Sequence, residues 1–109
     1  MRPLAITLPA EKTIHLTLYV EYFVAILGGE KRIEYRRRTE RYDRMFAKPW
    51  RRVKFVNGYG RHRPWMVVEI ARFEKRADEW RVHLGRVIES GNLDLLHAAP
   101  TQERLFAVK

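Results

Sequence analysis

Lys31, Glu34 and Arg36 fall in one eight-residue segment, Gly29-Glu30-Lys31-Arg32-Ile33-Glu34-Tyr35-Arg36, and they are the side chains of this chain best suited to chemistry. A lysine ammonium can hold a phosphate or a base carbonyl, or stabilise developing negative charge. A glutamate can accept a hydrogen bond from a base edge or act as a general base. Two residues apart on a strand, Glu34 and Arg36 share a face and can pair. Such a pair either orders the local structure, contributing about 0–1 kcal/mol if exposed, or orients the carboxylate for recognition; the sequence leaves both readings open. Glu69 lies inside an apolar run, where a carboxylate needs a cationic partner. It is a candidate second acid/base group beside Glu34.

Arginines surround this segment. Between Lys31 and Lys54 there are 11 Lys/Arg and only three acids, Glu34, Glu40 and Asp43. Arg37, Arg38 and Arg41 extend the basic strip beyond Arg36, and the planar guanidinium fork suits phosphate. Tyr59 follows Asn57-Gly58, with Arg61 and Arg63 nearby. It is a candidate stacking surface for an unpaired base; the alternative is a tyrosine packed over its own turn. The formal net charge of +9 and a pI near 10.4 fit a polyanion partner.

Several chemistries are excluded. The chain has no cysteine, which removes disulfides, thiolate catalysis and cysteine-based zinc sites. His15, His62, His83 and His97 are scattered without ligand spacing, so no metal is expected; only His62, in the loop, is a candidate acid/base group. No phosphate-binding glycine loop is present, and no cofactor is implied. No apolar stretch reaches the length of a bilayer span, so no membrane partner is expected. The absence of cysteine also fits a reducing, cytoplasmic setting.

The length of 109 residues suits one domain. Residues 1–13 read as a flexible leader, 14–92 as the folded domain and 93–109 as a terminal helix, docking arm or tail. Ile14–Thr17 alternates as a strand. Tyr19, Tyr22, Phe23, Ile26 and Leu27 then form the apolar stripe of a helix, which Gly28-Gly29 ends. Lys31–Arg37 returns to a period of two, with Ile33 and Tyr35 expected on the buried face and Glu34 and Arg36 on the polar one. Thr39–Phe46 reads as a short helix before Pro49. Strands follow at Arg51–Val56, Trp65–Phe73 and Trp80–Leu84, with a bend at Gly85 and a break at Ser90-Gly91-Asn92. The fold class is therefore mainly β with short helices (α+β). A small antiparallel β-barrel with helices at one end is the simplest closed solution.

The motif G-x-K-x-x-E-x-R, carried by Gly29, Lys31, Glu34 and Arg36 after an aromatic-rich helix, resembles that of the ASCH domain family, whose fold is similar to the PUA domain of RNA-modifying enzymes. Val53–Gly60 and Val82–Ile88 look like later strands of the same family, so the resemblance covers roughly residues 14–92. It implies a PUA-like barrel that binds RNA or a nucleotide in a cleft lined by the motif. Some members resemble ribonucleases; others are amidohydrolases acting on N4-acylated cytidine, with a threonine nucleophile where this chain has Glu34. Glu34 cannot serve as that hydroxyl. The resulting expectation is recognition of single-stranded or modified RNA through Lys31, Arg36, Arg37, Arg38, Arg41, Tyr59 and Arg61. The alternative is a metal-independent hydrolase, a ribonuclease or a modified-nucleoside amidohydrolase, using Lys31 and Glu34, with Glu69 as a further candidate.

Overall fold

Strand alternation and one helical stripe account for most of the architecture. The computed structural model describes residues 12–97. The elements run β1 (Thr13–Leu18), α1 (Val20–Leu27), β2 (Ile33–Arg37), α2 (Glu40–Met45), β3 (Arg52–Asn57), β4 (Trp65–Lys75), β5 (Glu79–Gly91) and α3 (Asp94–His97). The chain is mainly β with three short helices, and its one sheet has the strand order β1-β3-β4-β5-β2. No helix among the described residues is long and apolar enough to cross a membrane. Most of the expected leader and most of the expected tail, residues 1–11 and 98–109, lie outside the described residues.

The sheet is not wholly antiparallel. β1 pairs with β3 in parallel, with Ile14 opposite Val53, whereas β3–β4, β4–β5 and β5–β2 are antiparallel. The stretch α1–β2–α2 between β1 and β3 is long enough for the crossover that parallel pairing requires. Nor is the barrel closed by backbone pairing: β1 and β2 are the two edges of a curled half-barrel. Register shifts between Val67 and Arg72 supply local bending. Gly85 faces this stretch, and a Cβ there would lie 3.2 Å from the Cβ of Glu69. The glycine leaves room for a carboxylate at the irregularity, and β5 runs through it without a break. β5 also continues through Ser90 and Gly91, where the sequence suggested a stop. Gly91 faces Trp65, whose indole would lie 2.5 Å from an added Cβ.

The core lines the concave side. Phe23, Val53, Phe55, Met66, Val68 and Val82 are almost fully buried. α1 contributes Phe23 and Ile26, while Tyr19 and Tyr22 stay exposed. The helical stripe is thus narrower than its sequence pattern. Gly29 takes the left-handed conformation at φ +86° and ends the helix. The Ala25 carbonyl then accepts from the backbone N–H groups of Glu30 and Lys31 at 2.9 and 3.0 Å, which fixes where Lys31 leaves the helix. α2 has no buried residue of its own. It is held by Phe46 at its end, which stacks on Tyr42 and Phe73 and meets Trp80 edge-on.

Candidate nucleic-acid interface

β2 carries the central side chains, and its two faces are the reverse of the expected ones. Glu34 is 5% exposed and Tyr35 is half exposed. Tyr35 therefore does not anchor the core. The register of β2 on β5 sets Glu34 opposite the core residue Val82 and turns Glu34 and Arg36 inward, and because β2 is a sheet edge this inward face looks toward β1, the other edge. Arg36 bridges the two edges. Its Nε donates to Glu34 Oε2 at 2.8 Å, Nη1 to the Tyr42 hydroxyl at 2.8 Å and Nη2 to the Thr17 carbonyl at 2.7 Å. One guanidinium thus joins the two sheet edges and α2, where a barrel would use backbone pairing.

Lys31 completes the charge arrangement. Its Nζ donates to the Ile33 carbonyl at 2.6 Å and lies 3.6 Å from Glu34 Oε1. The same ammonium sits over the rings of Tyr22 and Tyr35, at 5.3 and 4.9 Å from their centroids. Glu34 is therefore a buried carboxylate between two cations. Its Oε1 accepts no hydrogen bond among the described residues, so acceptor capacity remains on that side.

Above Glu34 and Arg36 opens a cavity of about 400 Å³, bounded by Thr17 and Leu18 at the end of β1 and by Gly58 of the following loop. Tyr19, Tyr22, Tyr35 and Tyr59 form its rim. These are four of the five tyrosines in the chain, and each is between 45% and 85% exposed. The loop that presents Tyr59 is anchored beneath. Arg63 donates to the backbone and side-chain oxygens of Asn57 at 2.8 and 3.0 Å, and Asn57 Nδ2 donates to the Leu18 carbonyl at 3.1 Å. Asn57 itself stays in β3, and the positive φ angles of this loop fall at Gly58, Gly60 and His62. The connection is longer than the two-residue turn that Asn-Gly suggests.

The other candidates are distributed differently. Arg38 is committed to structure: it forms a two-pronged pair with Asp43 at 2.9 and 3.1 Å and donates to the carbonyls of Arg76 and Ala77. Arg37 and Arg61 are exposed, and Arg41 lies over the ring of Tyr42 outside the tyrosine cavity. Glu69 lines a separate cavity with Trp50, Arg51 and Arg52. Arg86 is its cationic partner at 3.3 Å, and hydrogen bonds from the Arg86 side chain and backbone hold the Glu69 carboxyl below its usual range. Glu69 and Glu34 thus serve different cavities. Tyr19, Tyr22 and Tyr35 were not singled out by sequence, because their spacing matches core positions. The available signal was residue type: in both patterns the tyrosines stand beside Phe or Ile, which have no polar end to keep wet.

Asp43 also receives the Trp80 indole N–H at 2.7 Å. The Arg38 and Trp80 hydrogen bonds hold its carboxyl at about 2, below the ordinary 3.8. A depressed carboxyl stabilises the fold fully above its unfolded value, and that contribution is lost as pH falls through the folded value. Glu74, held at about 2 by Arg76 and His83, acts in the same sense. The urea midpoint is expected to be flat down to about pH 5 and to fall between about pH 5 and 2, with a shallower fall in Asp43→Asn. An Asp43→Asn profile parallel to the parent's over that interval would contradict this assignment.

The chain matches no family model, and no curated protein or solved structure matches it at a significant level.

Proposed function

We propose that the protein binds single-stranded RNA, or RNA with a modified base, by taking one unpaired base into the tyrosine-rimmed cavity. The observation that carries this reading is the convergence of four exposed tyrosines on one cavity with the buried Glu34 and its partner Arg36 at the base; Lys31, 3.6 Å from Glu34 Oε1, stands beside that base and lines a neighbouring cavity. Exposed aromatic faces at a concave site are the usual means of stacking an unpaired base. Glu34 Oε1 offers an acceptor to an amino group on the base edge, and Lys31 offers a donor to a carbonyl. The cavity volume lies within the range of small-molecule sites and accommodates a single nucleoside. The net charge of +9 supports the phosphate-bearing partner. This function accords with a PUA-like, ASCH-type domain working in the cytoplasm.

Fluorescence anisotropy with a mixed-sequence RNA decamer over a salt series tests the proposal. Tyr59→Ala is expected to weaken binding by about 1–3 kcal/mol, the range found for removing one stacking partner, with an unchanged melting temperature, since Tyr59 is 85% exposed. RNA affinity absent at low salt, or unaltered in Tyr59→Ala and Tyr22→Ala, would sink it. The juxtaposition of Lys31, a cation that can stabilise developing negative charge, with Glu34, a carboxylate able to act as general base toward a substrate, supports a metal-independent hydrolase as a second reading. Product analysis in the same samples, with RNA and acylated nucleosides, separates the two: cleavage lost in both Lys31→Ala and Glu34→Ala favours the enzyme.

A further inference from the structure

A second cavity, about 510 Å³ in volume, lies between the start of β1 and α2 with its following turn. His15 of β1 borders it on one side, Arg41, Arg44 and Lys48 on the other, and Trp50 contributes apolar surface. Cations without a carboxylate partner among the described residues occur elsewhere too, Arg32, Arg37 and Arg61 among them; this cavity gathers three cations with almost no counter-charge. Arg36, Arg38, Arg76, Arg81 and Arg86 are each engaged by a carboxylate at 3.3 Å or closer. Arg41 and Lys48 have no carboxylate partner among the described residues, and Arg44 meets only Glu40 at 3.9 Å in an exposed pair. Three cations with almost no counter-charge repel one another across a shared cavity, and a bound polyanion relieves that repulsion.

This cavity and the first lie in succession along β1, with no lining residue in common. Thr17 borders the tyrosine cavity and His15 borders the basic one. The two residues lie on the same face of β1, roughly 7 Å apart at about 3.3 Å per residue, a distance that the sugar-phosphate link between neighbouring nucleotides spans. β1 is a sheet edge, so no further strand covers this path. On the opposite bank, Arg36 donates to the Tyr42 hydroxyl and Arg41 lies over the Tyr42 ring, so the two sites also meet through Tyr42.

We infer that Arg41, Arg44 and Lys48 form a phosphate subsite, which holds the backbone of the nucleotides flanking the base in the tyrosine cavity. The inference rests on the proposed function and deepens it: the ligand is a strand with phosphates on at least one side of the held base, and not a free nucleoside. The strand follows the edge of β1, and α2 acts as its cationic wall.

The test uses the full chain and the same RNA decamer, comparing Arg41→Ala/Arg44→Ala/Lys48→Ala with Tyr59→Ala across a salt series, with circular dichroism melts to establish that each variant folds. The triple variant is expected to bind at least tenfold more weakly at low salt. Its slope of log affinity against log salt is expected to fall by about 2, as loss of three contacts to single-stranded phosphates implies. Tyr59→Ala is expected to lose affinity with the slope unchanged. A triple variant with the parental slope and affinity overturns the phosphate subsite, while the tyrosine cavity stands if Tyr59→Ala still weakens binding. A flattened slope in the triple variant with full binding by Tyr59→Ala and Tyr22→Ala upholds the subsite and removes the base cavity. No binding of the decamer by the parent protein overturns both.

Discussion

Arg36→Ala is expected to lower stability by about 3–5 kcal/mol, the cost of removing one partner from a buried ion pair. The magnitude follows from what the guanidinium leaves behind. Glu34, 5% exposed, loses its only side-chain hydrogen bond among the described residues and keeps Lys31 at 3.6 Å, and the Tyr42 hydroxyl and the Thr17 carbonyl each lose a donor. Desolvated groups without partners are costly in a way that a missing contact is not. A domain of this size has a total stability of about 5–15 kcal/mol, so the variant would be substantially unfolded near body temperature. Arg36→Lys is expected to recover little, because an ammonium cannot span three acceptors in three directions. Arg37→Ala, one residue along on an exposed position, provides the control and is expected to change stability by less than about 0.5 kcal/mol. Urea denaturation at neutral pH measures all three. A loss below about 1 kcal/mol in Arg36→Ala would mean that the two sheet edges are held by something else.

That prediction marks the boundary of what could be read from the sequence. The order of elements was legible, since each depends on a local pattern: alternation in β1, β2 and β5, the apolar run of β4, the 3.6-residue stripe of α1, and the glycine that ends it. The faces of β2 were not. Alternation shows which residues share a face; it does not say which face is inside. Ile33 and Tyr35 outrank Glu34 and Arg36 in hydrophobicity, so any reading based on side-chain type alone buries the wrong pair. The structure inverts them because β2 pairs through its register with β5, Glu34 opposite the core residue Val82. That register is set by a strand far away in sequence, and one residue of slip exchanges the two faces.

The same limit applies to the site. Lys31, Glu34, Arg36 and Tyr59 stand out by type and spacing; Glu34, Arg36 and Tyr59 line one cavity, and Lys31 lies 3.6 Å from Glu34 outside that lining. Tyr19, Tyr22 and Tyr35 were hidden because an aromatic at a helical or strand spacing resembles core. What distinguishes them is the curvature of the sheet and the length of the loop after Asn57, both tertiary properties. Arg38 shows the converse case. It sits in a run of three arginines, and its role is decided by Asp43 and by carbonyls at residues 76 and 77, which no local pattern connects to it. In a strongly basic chain the count of arginines therefore overstates the charge available to a ligand. The informative quantity is the set of cations left without a carboxylate, and that set depends on the fold.

Phe46→Ala is the second large effect, and it links the core to the proposed phosphate subsite. α2 spans only Glu40–Met45 and buries none of its own residues, so its position depends on the 3% exposed ring that follows it. That ring is stacked on Tyr42 at 5.2 Å and on Phe73 at 5.0 Å, with Trp80 edge-on at 5.4 Å. Truncation of a buried phenylalanine costs about 3–5 kcal/mol, and loss of the aromatic pairs adds to it. At about 4–8 °C per kcal/mol for a domain near this size, the melting temperature is expected to fall by at least about 12 °C. Phe46→Leu retains most of the apolar volume and is expected to lose markedly less. Two further consequences separate anchoring from simple cavity formation. Trp80 loses one of its two edge-on ring contacts, keeping Phe73, while its indole still donates to Asp43, so near-ultraviolet circular dichroism should change more than far-ultraviolet. Tyr42 loses the surface that holds its hydroxyl toward Arg36, so Arg41 and Arg44 lose their fixed position beside β1. Below its melting transition, Phe46→Ala should therefore bind the RNA decamer with a reduced salt slope although no phosphate-binding side chain has been removed. A variant that melts low yet keeps the parental slope would show that α2 is positioned independently of Phe46.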